Sequence, residues 1–228
     1  MRVNQLTFSL PNGKVLSLHV AKSVCIGYSG RNQEAVRMHI EELAHEGIPA
    51  PPEVPMVYPI SNLLVTQDKD IQILGEQTSG EVEFVILISS DGKFVSVGSD
   101  HTDRKLEAIS IPYAKQACPK PVATEAWPLE EVLVHWDQIH LTCEIKMNDQ
   151  WELYQEGSLA SVLPVHEILE FAHKRNCIDE NGSVLFCGTV PILEGKFKYG
   201  SAYRLTMTDP VFDRSIVHVY KVENIFAN

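Results

Sequence analysis

The sequence has no CxxC pair, no cluster of basic residues and no long apolar run. Its five cysteines, Cys25, Cys118, Cys143, Cys177 and Cys187, are odd in number and widely spaced. Such usage disfavours both a disulfide framework and a thiolate zinc site, so reduced thiols and a cytoplasmic setting are expected. Nucleic acid is a poor partner, because phosphate neutralisation needs clustered Lys and Arg and the formal net charge is -11. No stretch approaches the roughly 18 to 20 apolar residues of a membrane span. The opening MRVNQLTFSLPNGK alternates apolar and polar residues and lacks the apolar core of a cleaved leader. A soluble protein with no membrane partner is the expectation.

What is present is alternation. VNQLTFSLPNGKVLSLHV sets two alternating runs around Asn12-Gly13, a dipeptide that accepts the positive backbone angles of a tight turn, which predicts a hairpin. RNQEAVRMHIEELAHEG predicts the first helix, with Asn32 as N-cap, Val36, Ile40 and Leu43 at helical spacing and Gly47 as stop. Five prolines in IPAPPEVPMVYPIS forbid a regular helix and predict an extended connection. Strands are then predicted near 71–74, 82–89, 93–98, 139–146, 151–155, 183–188, 202–208 and 215–223, with one helix near 164–175. So many strands with two or three helices predict an α+β fold, mainly β, whose mixed sheet closes or folds over on itself to protect its edges.

Three groups of residues carry candidate chemistry. In GEVEFVILIS, Glu81 and Glu83 stand side by side on one face of a strand and Val85 and Leu87 continue that face. Two carboxylates in a low-dielectric setting do not both ionise comfortably unless a cation lies between them; the alternative is an edge strand whose polar face meets solvent. In VGSDHTDR, the return of a hairpin through Asp91-Gly92 brings either Asp100 or Asp103 toward the glutamates. A third oxygen ligand would complete half an octahedron suited to Mg²⁺ or Mn²⁺; otherwise the aspartates hold a turn and Asp103 and Arg104 form a surface pair. His101, one residue from Asp100, should point elsewhere on an extended backbone. In MHIEEL, His39 and Glu42 are neighbours on one helix surface. A carboxylate on one ring nitrogen raises the basicity of the other, as a general base requires, although such a pair also occurs as an ordinary helix contact. Tyr58, beside the proline run, is a candidate for lining a pocket, with packing as its alternative role.

The ordered set HIEEL, YPISNLL, GEVEFVIL, GSDHTDR, AKQACPKPV, LYQEGSLASVLPVHEILEFA and VLFCGTV resembles the fumarylacetoacetate hydrolase superfamily, and looks closest to an uncharacterised branch of it, over roughly residues 25 to 208. The resemblance implies a fold like that family's C-terminal domain, with the division 1–24 as an N-terminal hairpin subdomain and 25–228 as the catalytic domain. It implies Mg²⁺, with Mn²⁺ as substitute, held by Glu81, Glu83 and Asp100. It also implies His39 and Glu42 as the dyad that activates water, Lys115 as a group that contacts substrate, and Arg104 and Thr189 as substrate-binding residues. Glu107 stands where the family frequently has glutamine, and a carboxylate facing the pocket disfavours anionic keto acids.

On this reading the protein is a metal-dependent hydrolase that cleaves a carbon-carbon bond in a diketo or acylpyruvate-type acid, through a metal-stabilised enolate and a His39/Glu42-activated water. A 2-oxo acid decarboxylase or keto-enol isomerase on the same site is the near alternative. A non-catalytic small-acid-binding protein is the distant one. A homodimer is implied by the resemblance alone.

Overall fold

The computed structural model describes residues 4–45 and 50–226. Strands β1 (Asn4–Ser9) and β2 (Val15–Val20) form the predicted hairpin, in register from Asn4 opposite Val20 to Ser9 opposite Val15. Strand β3 (Lys22–Gly27), which the alternation did not announce, leads to helix α1 (Gln33–His45). The Asn32 side chain caps α1 by accepting from the Glu34 and Ala35 backbone N–H groups at 3.1 Å, so the predicted start is the observed one. Gly47, the predicted stop, lies outside the described residues. The proline-rich connection is only partly irregular. It contains β4 (Met56–Ile60), an edge strand in which Pro59 is tolerated because one side of the ladder has no partner.

The chain continues through β5 (Val65–Thr66), β6 (Asp70–Ile73), β7 (Thr78–Ser79), β8 (Val82–Ser89), β9 (Gly92–Ser99) and β10 (Thr102–Asp103) to the short helices α2 (Arg104–Glu107) and α3 (Ile111–Ala117). After β11 (Lys120–Pro121), β12 (Trp127–Pro128) and α4 (Leu129–Val132) come β13 (His140–Met147), β14 (Gln150–Ser158), α5 (Val165–Lys174), β15 (Gly182–Thr189), β16 (Ala202–Asp209) and β17 (Arg214–Asn224). The long strands and α5 fall within a few residues of their predicted positions. The two-residue strands and α2 to α4 carry too few residues for a periodic signal.

Two mixed sheets form the body. One has the order β12-β9-β8-β15-β3-β4 and the other β14-β13-β16-β17-β6; β15 with β3, and β17 with β6, are the parallel pairs. Every residue of β8 is buried, because its two faces are covered by different layers. Val82, Phe84, Ile86 and Ile88 pack with Leu141, Cys143, Ile145, Leu205 and Met207 of the second sheet. Val85 and Leu87 pack with Leu6, Phe8, Leu16 and Leu18 of the hairpin. The architecture is the expected α+β, mainly β fold with few helices, like the C-terminal domain of fumarylacetoacetate hydrolase. No helix among the described residues is long and apolar enough to cross a membrane.

His218 lies on the buried side of β17, stacked on Tyr220 with ring centroids 6.1 Å apart. Burial first, and Lys69 second, push its imidazole down to about 4. A histidine with a depressed folded value stabilises the protein above its unfolded value of about 6.5. That contribution is lost as pH falls through about 4. Urea unfolding of the wild type is therefore expected to lose, between neutral pH and pH 4, on the order of 3 kcal/mol that His218→Phe does not lose. Parallel pH profiles for the two proteins would contradict this assignment.

Candidate metal centre

The β8-β9 hairpin sets the site. Glu83 lies opposite Gly98 and Val82 opposite Ser99; continuing that register, the Asp100 N–H donates to the Glu81 carbonyl at 3.1 Å. Residues opposite each other across a ladder share a face, so Asp100 joins the face that carries Glu81 and Glu83. One oxygen from each of the three carboxylates lies within 4.8 Å of the others. Asp103 goes elsewhere: its Oδ1 accepts from the Leu106 N–H at 2.9 Å and caps α2. Of the two aspartates the sequence left open, the fold brings Asp100 to the glutamates. His101 points away from them, as expected, with Nδ1 3.0 Å from the Tyr220 hydroxyl and Nε2 2.9 Å from Thr78 Oγ1.

Two glycines adjoin Glu83, one opposite it on β9 and one through its backbone N–H. A side chain at Gly98 would come within 2.7 Å of the Pro121 carbonyl and 2.8 Å of Val85. Gly188 has φ +119° where β15 shifts register against β8, and a side chain there would strike Ser29 Oγ. Only glycine adopts that backbone angle readily, and the bulge turns the Gly188 N–H onto Glu83 Oε2 at 3.0 Å. Gln155, fully buried, completes the strand end: its Oε1 accepts from the Val82 N–H at 3.0 Å and its Nε2 donates to Thr189 Oγ1 and the Val190 carbonyl, each at 2.8 Å.

Cations stand around the cluster. Lys115 Nζ, on α3, contacts Asp100 Oδ2. Lys120 Nζ donates to the His101 carbonyl at 2.6 Å and lies 3.3 Å from Asp100 Oδ1. Arg104 is fully engaged: Nε donates to Ser79 Oγ at 2.7 Å, one terminal nitrogen to Glu107 Oε2 at 2.8 Å, and the other lies 3.3 Å from Glu81 Oε1. The surface pair of Asp103 with Arg104 that the sequence allowed is thus corrected, because Arg104 is buried by these partners. Burial alone would raise Asp100, but Lys115 and Lys120 outweigh it and hold its carboxyl well below the usual range. Burial raises Glu81 against the pull of Arg104. Glu83 is raised well above the ordinary carboxylate value, first by burial and then by Asp100. The proposition that only an intervening cation reconciles these carboxylates therefore needs correcting for Asp100 and Glu81, which have basic partners. Among the described residues it holds for Glu83, which has no ion-pair partner.

The donor set fits a hard divalent ion. All three ligand candidates are carboxylates, the hard oxygen donors that such an ion takes, one oxygen of each lies within 4.8 Å of the others, and among the described residues one of the three, Glu83, has no ion-pair partner. Tyr58 is buried, with its ring centroid 5.7 Å from Lys115 Nζ. Thr189 lies opposite Glu83, but its hydroxyl is already committed, donating to the Val82 carbonyl at 2.9 Å and accepting from Gln155. The side chains of His39 and Glu42 lie outside the described residues; their backbone is part of α1. A surface cleft of about 710 Å³ beside Arg31, Trp136, Asp137 and Leu169 contains none of these groups.

Sequence reasoning missed Lys120, Gln155 and Cys25. The Cys25 thiol is buried, and is pushed up by burial and then by Asp100. A lysine between two prolines and a glutamine in an alternating strand carry no local mark of burial, so only the tertiary contacts identify them.

The family described as "Protein of unknown function (DUF2848)" matches residues 26–220. The chain belongs to the DUF2848 family. No curated protein matches it in sequence. Solved structures similar to this DUF2848 chain include a 2-keto-3-deoxyarabinonate dehydratase, with 15% identity and a TM-score of 0.66 over 91% of this chain and 75% of that one. Cg1458 gives 13% identity and 0.65 over 98% and 100%. A 2-keto-3-deoxy-D-arabinonate dehydratase complexed with magnesium and 2,5-dioxopentanoate gives 15% and 0.59 over 92% and 77%. These likenesses establish the fold.

Glu83→Gln is expected to have opposite effects on the metal-free and metal-loaded protein. Removing a charge that burial and Asp100 oppose should stabilise the metal-free form by on the order of 1–3 kcal/mol. The same change should abolish the rise in melting temperature on adding Mg²⁺ or Mn²⁺. A variant that still gains stability from the ion as the wild type does would exclude Glu83 as a ligand.

Proposed function

We propose that the protein is a divalent-metal-dependent hydrolase of the fumarylacetoacetate hydrolase type, cleaving a carbon-carbon bond in a diketo or acylpyruvate-type acid. The observation that carries this reading is the convergence of Glu81, Glu83 and Asp100 with Glu83 left without a cationic partner among the described residues. The shared fold of proteins whose names or ligands are 2-oxo acid chemistry supports it. The resemblance in the site motifs points to the same superfamily, and we place the chain in a divergent branch of it.

Glu81, Glu83 and Asp100 would hold the ion. When bound, a divalent cation supplies Lewis-acid stabilisation of the charge that develops on the oxygens of a 2-oxo acid. The remaining work falls to side chains. His39, oriented by Glu42, takes a proton from water as the water attacks the carbonyl carbon; the carbon-carbon bond breaks and its electron pair leaves with the enolate fragment. Lys115 holds the anionic oxygen and Tyr58 lines the space beside it. Arg104, whose nitrogens are spent within the chain, orients Glu81 and does not grip substrate directly. Thr189 acts in the same indirect way, by fixing the end of β15 against Val82. The hairpin 1–24 serves as a small subdomain on the domain 25–228, and the working form is a cytoplasmic homodimer.

A second reading draws on the Lys115–Asp100 contact, which keeps Lys115 as an ammonium beside the cluster and so supports it as a proton donor there. Lys115 would donate its proton to an enolate or to a departing hydroxyl, with the carbon-bound proton taken by a separate base, and so support decarboxylation, isomerisation or the water elimination that the dehydratase neighbours are named for. With a panel of acylpyruvates, Mg²⁺-dependent turnover is expected, and His39→Ala should lower kcat by about a hundredfold or more. Product analysis separates the two readings: two carbon fragments mark hydrolysis, whereas carbon dioxide, an isomer or a dehydrated acid marks the second. Turnover that withstands both chelator and His39→Ala would eliminate the hydrolytic mechanism.

A further inference from the structure

The partners of Arg104 bear on the charge of what this site accepts. We propose that the substrate is a 2-oxo acid with a single carboxylate and an uncharged distal end, and that Glu107 excludes a second carboxylate by occupying Arg104. The inference rests on the proposed metal-dependent function and concerns substrate class within it.

Four carboxylates, Glu81, Glu83, Asp100 and Glu107, meet three cations, Arg104, Lys115 and Lys120, in one connected group. With its carboxylates ionised this group, among the described residues, has no surplus of cations. Each carboxylate that a ligand adds therefore adds negative charge beside side chains that are mostly buried, where unpaired charge is costly.

No cation in the group is free to receive that second carboxylate. Lys115 and Lys120 pair with Asp100, and Lys115 is the group that the proposed function gives to the acid's first anionic oxygen. Arg104 has the fork geometry that grips carboxylates, but Glu107 takes one of its terminal nitrogens at 2.8 Å, Ser79 and Glu81 take the others, and the Phe197 ring covers its face at 4.2 Å from the guanidinium carbon. The solvent-facing side of the group is defined by Glu81 and Glu107, whose side chains are 16% and 20% exposed while Asp100 is 1% exposed. An acid reaching the cluster from that side passes a carboxylate and half-buried Tyr28, whose hydroxyl is pushed up by burial and then by Glu107. A chain that is apolar or hydroxylated suits this rim; a terminal carboxylate meets repulsion from Glu107 and finds no open guanidinium.

The test compares 2-oxopentanoate with 2-oxoglutarate, which share a five-carbon chain and differ in the distal carboxylate. Calorimetric titration of each into the Mg²⁺-loaded full chain, corrected for Mg²⁺ binding by the free acid, should give at least tenfold tighter binding of 2-oxopentanoate. Glu107→Gln should narrow that ratio at least fivefold by releasing Arg104 from its ion pair, and Phe197→Ala, which uncovers the same guanidinium, should move it in the same direction. Equal or tighter binding of 2-oxoglutarate by the wild type overturns the proposal without recourse to any variant, as does a ratio unmoved by Glu107→Gln in a folded protein. Failure of the parent reading looks different: Mg²⁺ then gives no heat and no thermal stabilisation, and the proposal falls with it. Mg²⁺ binding without binding of either acid overturns the substrate class alone.

Discussion

A buried carboxylate that has no ion-pair partner among the described residues organises the centre of this protein. Glu83 sits on a strand covered on both faces, where ionisation is opposed by burial and by Asp100. One backbone N–H, from Gly188, reaches it. Among the described residues the surrounding chain offers that group polar backbone and no ion pair: glycine lies opposite it across the β8-β9 ladder, the β15 bulge turns an amide to it, and Gln155 satisfies the backbone on its flank. A fold selected for stability alone would place an apolar residue at such a position, since a well-packed hydrophobe does not carry the desolvation cost of a charge.

The same strand shows how oil and acid share a face. Val85 and Leu87 are roofed by the β1-β2 hairpin, and Glu81 and Glu83 emerge beyond that roof toward Asp100 and the short helices α2 and α3. The opposite face of β8 is apolar throughout and packs on the second sheet. Rigidity on one side and charge on the other is what a binding centre needs, because carboxylates carried on a packed strand keep their spacing while an ion or substrate comes and goes.

Much of this was readable before any tertiary contact was known. The period of two along residues 81–89 and the return of the hairpin through the Asp91-Gly92 turn made Asp100 and Asp103 candidate partners for the glutamates, and the observed register placed Asp100 on their face. The choice between Asp100 and Asp103 was not readable, because it depends on where β9 stops pairing and α2 begins. Arg104 read equally well as a surface residue or a substrate contact; its burial under Phe197, a residue far away in sequence, is what commits it to Glu81 and Glu107. Lys120 and Gln155 gave no sign at all, since lysine and glutamine are usually exposed and nothing local marks these two as interior.

By itself, then, the sequence determined the periodic elements, the acidic balance and the residues able to bind a hard cation, because each of these is a property of neighbours along the chain. The tertiary structure decided which carboxylates meet, which of them already has a basic partner and which guanidinium remains closed to a ligand. Those outcomes depend on charges brought within a few ångströms from distant segments, and both Coulombic energy and desolvation are set by that distance and by burial, neither of which is written in local spacing.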